Sequence, residues 1–162
     1  MRKEIFEDLI EKWILDYCKR DASIQVLKIY KQQNISKLND PLLQGVKNIE
    51  KCDFSADFFV LIKKADGNKD FILINRYVKS VGLRAIGEML VYSSVSNPHA
   101  SFVISTHGHS SEINSVLMNE QISNELFCYD QSKHIKMFTL NGAMQVDPTS
   151  ILPLSVRANF DG

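Results

Sequence analysis

The sequence predicts an α/β domain, a central mixed β-sheet flanked by helices, on three observations. Residues 3–19 carry Ile5, Phe6, Leu9, Ile10, Trp13, Ile14 and Tyr17 at three- and four-residue steps, the period of an amphipathic helix. Residues 54–77 hold two apolar runs separated by Asp66-Gly67-Asn68, the pattern of two strands joined by a tight turn. A helical segment over residues 81–95 and a further apolar run over residues 100–106 follow, and this alternation puts helices on the faces of a sheet.

Composition sets the outer bounds. The 162 residues are 44% hydrophobic and 23% charged, which suits one domain with its own core. We place that domain at residues 1–147 and a C-terminal tail at residues 148–162. A formal net charge of +0 argues against strong nonspecific binding to a polyanion and leaves room for a local basic face. Cys18, Cys52 and Cys128 lie too far apart in sequence for a zinc site, and their odd number points to reduced thiols in a cytoplasmic protein. No apolar run approaches the roughly 20 residues that span a bilayer, so no membrane partner is expected.

Along the chain, Asp21-Ala22-Ser23 ends the first helix, and residues 24–30 read as a strand. Asp40-Pro41 opens a short helix through Leu42, Leu43 and Val46, with Pro41 at its first position. Residues 56–62 are almost continuously apolar, as in a strand covered on both faces, and residues 71–77 form its partner. On the second helix Leu83, Ile86, Leu90 and Val91 form the expected buried side, with Gly82 and Gly87 allowing close approach to the sheet. Asn97-Pro98 ends that helix. After the strand at 100–106, Ser110 or Ser111 caps a helix reaching about Gln121. Residues 125–129 and 135–140 read as two more strands, with a turn at Asn141-Gly142. The tail shows no period and is expected as an extended arm or loosely held end, suited to docking a partner or a second copy.

Several side chains invite a chemical reading. Glu7 and Glu11 sit one helical turn apart and read as a solvated face, while Trp13 reads as core. His107-x-His109 lacks a third ligand for a metal, though its loop is placed to line a cleft; His99 and His134 read as surface residues. Arg76, Lys79 and Arg84 cluster around the second strand-to-helix turn, as contacts for nucleic-acid phosphates or as a solvated rim. Lys47, Lys51, Lys63 and Lys64 read as ordinary surface charge. The chain has no Gly-x-Ser-x-Gly, no P-loop and no Gly-x-Gly-x-x-Gly.

The order of elements over residues 3–106, with Asp57 opening one strand of the hairpin, Asn75 and Tyr77 ending the other, and Glu88 and Tyr92 on the helix that follows, resembles the PD-(D/E)xK nuclease-like (restriction-endonuclease-like) superfamily. The resemblance implies that Asp57 stands at the Mg²⁺-binding acid, Asn75 at the second acid and Tyr77 at the lysine that positions the attacking water. It also implies that Glu88 replaces a glutamine, with Tyr92 keeping its spacing, and that an acid on the first helix, such as Glu7, faces the metal. Asn75 and Tyr77 depart from the pattern: an amide in place of a carboxylate removes an anion that Mg²⁺ needs, and tyrosine in place of lysine removes a cation. The resemblance therefore implies a nuclease-like DNA- or RNA-binding or assembly module with a degenerate centre. Two rivals stand beside it. One is a Mg²⁺-dependent endonuclease with a rearranged site, in which Asp57 and Glu88 hold the ion and Lys79 or Arg76 supplies the cation. The other is a protein-interaction scaffold, monomeric or homodimeric, that binds no nucleic acid.

Overall fold

A computed structural model describes residues 2–160. Helix α1 (Lys3–Lys19) is followed by strands β1 (Ile24–Lys31), β2 (Phe58–Lys64) and β3 (Lys69–Tyr77), helix α2 (Leu83–Ser96) and strand β4 (Ala100–Ser105). Two short helices, α3 (Asn114–Leu117) and α4 (Glu120–Phe127), then lead to β5 (Cys128–Asp130) and β6 (Lys133–Thr139). The six strands form one sheet in the order β1-β2-β3-β4-β6-β5. β1, β2 and β3 are antiparallel neighbours; β4 and β6 run parallel to β3; β5 runs antiparallel to β6. The expected α/β class with a mixed central sheet is what the chain adopts.

The continuous apolar run in β2 has the double burial expected of it. Phe58, Val60 and Ile62 point to one core with Phe6, Ile10, Trp13 and Ile14 of α1. Phe59 and Leu61 point to the other, with Ile86 and Met89 of α2, Leu117 and Phe127. Strand side chains alternate faces, so a strand covered on both sides must be apolar throughout. Trp13 is core as expected, its ring 5.1 Å from Phe102 and 4.9 Å from Phe138. The β2–β3 turn is closed by the Asp66 carboxylate, which accepts the Asn68 N–H at 2.8 Å, with Gly67 at φ +85°.

Helix α2 is rotated from its expected setting. Leu83 and Val91 are 53% and 60% exposed, and the buried face is Ile86, Met89, Ser93 and Ser96. The serines satisfy themselves there: Ser93 Oγ lies 2.6 Å from Ser101 Oγ of β4, and Ser96 Oγ donates to the Tyr92 carbonyl at 2.7 Å. A hydroxyl with a buried partner can face a sheet, whereas hydrophobicity alone favours the leucine side. Close approach rests on these small serines, because a Cβ at Gly82 or Gly87 would meet nothing within 4 Å.

The second half of the chain departs further. Ser110 does cap the segment after β4, accepting the Glu112 N–H, but the expected single helix is broken. Asn119 caps a new start by accepting the Ile122 N–H at 3.0 Å, and α4 runs through Phe127. The strand expected over 125–129 is therefore reduced to β5; the short apolar pair Leu126-Phe127 has no period that separates helix from strand. The tail expected as an arm folds back instead. Ile151 and Leu152 are buried, and Leu152 pairs with Met137 through two backbone hydrogen bonds of 2.8 and 2.9 Å. Arg157 donates to the carbonyls of Ile151 and Thr149, and Phe160 packs on Phe138. His99 and His134, expected at the surface, are half-buried, and burial pushes the pKa of both down. All three cysteines are free, and burial raises Cys18 to about 11 and Cys52 to about 12. Among the described residues no helix is long and apolar enough to cross a membrane.

The connection from β1 to β2 is pinned by Asp40. Its carboxylate caps the turn Pro41–Leu43 and accepts from Lys28 Nζ at 2.8 Å and from the Tyr30 hydroxyl at 2.7 Å. Lys28, then Tyr30 and the Leu42 N–H, hold the Asp40 pKa down at about 2. A carboxylate with a depressed folded-state pKa stabilises fully above its ordinary value of 3.8, and that stabilisation is lost as pH falls through about 2. Urea midpoints of the Asp40→Asn variant should therefore lie below wild type above pH 3.8 and converge on it near pH 2. Gly87→Ala, which adds a methyl to open space in a helix interior, should raise stability by about 0.5–1 kcal/mol in the same measurement.

Candidate functional site

The end of the β2–β3 hairpin builds the site. The backbone ladder between the two strands stops at Phe58 opposite Ile74. Beyond it, side chains take over. Asn75 Oδ1 accepts the Asp57 N–H at 3.0 Å, and Asp57 Oδ2 accepts the Arg76 N–H at 2.8 Å. This reciprocal pair extends the hairpin by one rung and satisfies two backbone donors that would otherwise be left open. Asp57 lies one residue before β2 rather than within the strand, and its carbonyl accepts the Gln32 N–H at 3.1 Å.

Arg76 points away from solvent. Its side chain is 5% exposed, and its guanidinium holds Glu7 of α1, with Nε 3.1 Å from Glu7 Oε1 and Nη2 on the same oxygen. This corrects two expectations. Arg76 is neither a phosphate contact nor a solvated rim residue, and Glu7 faces the sheet rather than water. Glu11 pairs with Lys31 of β1 at 2.6 Å. Side-chain alternation explains the change at Arg76: between Asn75 and Tyr77, it must turn to the α1 face of the sheet.

Tyr77, at the end of β3, lies where both remaining acids act on it. Burial raises its pKa to about 12, and the charges of Glu88 and Asp57 push the same way. Tyr92 donates its hydroxyl to Glu88 Oε1 at 3.1 Å, and its ring stacks on Phe54 at 4.2 Å and 7°. Its pKa is raised by burial, by that bond to Glu88, and by the charges of Glu88 and Asp57. Thus Asp57, Asn75, Tyr77, Glu88 and Tyr92 share one neighbourhood. Phe54 is the member sequence reasoning missed; nothing in its local sequence signals the stack on Tyr92.

An open cleft of about 550 Å³ lies alongside, lined by Tyr77, Lys79, Ser80, Arg84, Glu88 and Ser110 among others. The His107–Ser110 loop reaches it as expected: the Val81 N–H donates to the Gly108 carbonyl and the Ser110 N–H to the Val81 carbonyl, both at 2.8 Å. His107 and His109 have neighbours of their own, Thr106 Oγ1 and Asn114 Oδ1.

The donor set does not fit the Mg²⁺ that the resemblance implies. Asn75 has its carbonyl oxygen committed to the Asp57 backbone, and it brings no negative charge. Burial of the Asp57 carboxyl raises its pKa, a shift opposed by the Arg76 N–H, the Arg76 guanidinium and Lys3 and assisted by Glu7. Among the described residues no three His, Cys, Asp or Glu side chains gather closely enough to hold a metal ion. A scan against protein-family models, a search of curated proteins and a search of solved structures each return no match.

Removing one partner of a buried ion pair strands the other charge away from water. Glu7→Ala should therefore destabilise the protein by about 3 kcal/mol in urea unfolding, and Glu7→Leu combined with Arg76→Met should recover most of that loss. Equal midpoints for Glu7→Ala and wild type would mean that the pair is open to solvent.

Proposed function

We propose that the chain is a nuclease-like α/β domain that works as a nucleic-acid-binding or assembly module and does not cut. The reading is supported by the order of elements, a helix, three antiparallel strands, a crossover helix and a parallel strand, and by the convergence of Asp57, Asn75, Tyr77 and Glu88 at the hairpin end. One observation carries the loss of catalysis. Asn75, which the resemblance sets at the second metal-binding acid, uses its amide oxygen to close the Asp57 backbone. A nuclease centre holds its ion with converging anions, activates water beside it and neutralises developing charge on the phosphorus. Here the position of the second acid holds a committed amide, the neighbouring arginine is spent on Glu7, and Tyr77 keeps its proton well above neutral pH.

What survives is a surface for holding a polyanion. Lys79 and Arg84 project at the cleft and, among the described residues, make no ion pair. Incubation with single- and double-stranded DNA and RNA in Mg²⁺ or Mn²⁺ should give no cleavage above a no-protein control. Binding in the presence of EDTA should weaken as salt rises, because phosphate contacts release counterions. Metal-dependent cutting that disappears in Asp57→Ala would overturn the reading in favour of the rearranged Asp57–Glu88–Lys79 endonuclease. Absence of any salt-dependent binding would overturn it in favour of a protein scaffold.

A further inference from the structure

The cleft beside Tyr77 combines three features that together select a ligand class. Lys79 and Arg84 bring two exposed cations to its lining, Tyr77 a half-buried ring, and Ser80 and Ser110 two hydroxyls. Its volume of about 550 Å³ is that of a small-ligand pocket, enough for one nucleotide. Glu88, held by Tyr92, lines the cleft too, and its negative charge repels phosphate from its own part of the cleft. A polyanion is thereby steered to Lys79 and Arg84. We infer that this cleft takes one nucleotide of a single-stranded nucleic acid, with its phosphate at Lys79 and Arg84 and its base stacked on Tyr77, without a metal.

The inference rests on the nucleic-acid reading above and narrows it. Single-strand sites pair a cationic track with aromatic faces, because every unpaired base offers a π-surface to stack on. In a duplex those surfaces are already occupied by neighbouring bases, so Tyr77 has nothing to take. The phenol strengthens the case against chemistry at this ring: with its pKa raised to about 12, Tyr77 stays neutral and does not repel the phosphate.

The test is fluorescence anisotropy of the full chain in EDTA with a labelled single-stranded oligonucleotide and its duplex. Wild type should prefer the single strand by about 10-fold, and Tyr77→Ala should lose about 10-fold while Tyr77→Phe stays within about 2-fold. Lys79→Ala and Arg84→Ala should each weaken binding and each reduce the salt slope by about 1, whereas Lys12→Ala on α1 should change neither. Lys79→Ala and Arg84→Ala, on the exposed lining, keep the test informative if Tyr77→Ala fails to fold. Single-strand binding that is unaffected in Lys79→Ala, Arg84→Ala and Tyr77→Ala would overturn the cleft assignment alone. So would equal affinity for the duplex. No binding of either oligonucleotide would overturn both the assignment and the reading beneath it.

Discussion

Two backbone N–H groups at the end of the β2–β3 hairpin are satisfied by side chains of the site itself, Asp57 by Asn75 and Arg76 by Asp57. Each such bond contributes about 1 kcal/mol net, but breaking one leaves a partly buried polar group without its partner, which costs more. The same pair decides where everything else goes. With Asp57 and Asn75 facing one another, side-chain alternation sends Arg76 to the opposite face, where Glu7 of α1 meets it. α1 is thus tied to the sheet by a charge pair as well as by Phe6, Ile10, Trp13 and Ile14. Tyr77 is left beside Asp57 and Glu88, at the mouth of the cleft.

Held this way, the hairpin end has the chemistry of a structural site. A hydrolytic site keeps its oxygens open toward the reacting group. Here Asn75 Oδ1 and Asp57 Oδ2 both point at backbone amides, and the cation between them and Tyr77, Arg76, is buried against α1. The Asn75 amide brings none of the negative charge that a divalent ion needs, and its oxygen is committed to the Asp57 N–H. Lys79, Arg84, Tyr77 and Glu88 line the cleft alongside.

Local patterns carried much of this in the sequence. The α1 period, the Asp66-Gly67-Asn68 turn and the Asn97-Pro98 stop are written within a few residues, and each appears in the structure. The grouping of Asp57, Asn75, Tyr77 and Glu88 came from the family resemblance and not from any local pattern. What was not legible depends on distant partners. Ser93 faces the sheet because Ser101 is there to bond it, which turns the buried face of α2 away from Leu83 and Val91. Arg76 is buried because Glu7, 69 residues earlier, is waiting on α1. The C-terminal segment packs because Leu152 finds Met137, two residues too few to form a period of their own. Asn119 is the exception: its helix-capping character was local and readable, and it splits the helix expected to pass through it.

The central claim is that this hairpin end is closed by its own amide and has no place for a divalent ion. The most direct measurement is anomalous diffraction from crystals soaked in Mn²⁺. The account predicts no anomalous peak within coordination distance of Asp57, with Asn75 still bonded to the Asp57 N–H. A fully occupied peak held by Asp57 together with Glu88 or Glu7 would contradict it.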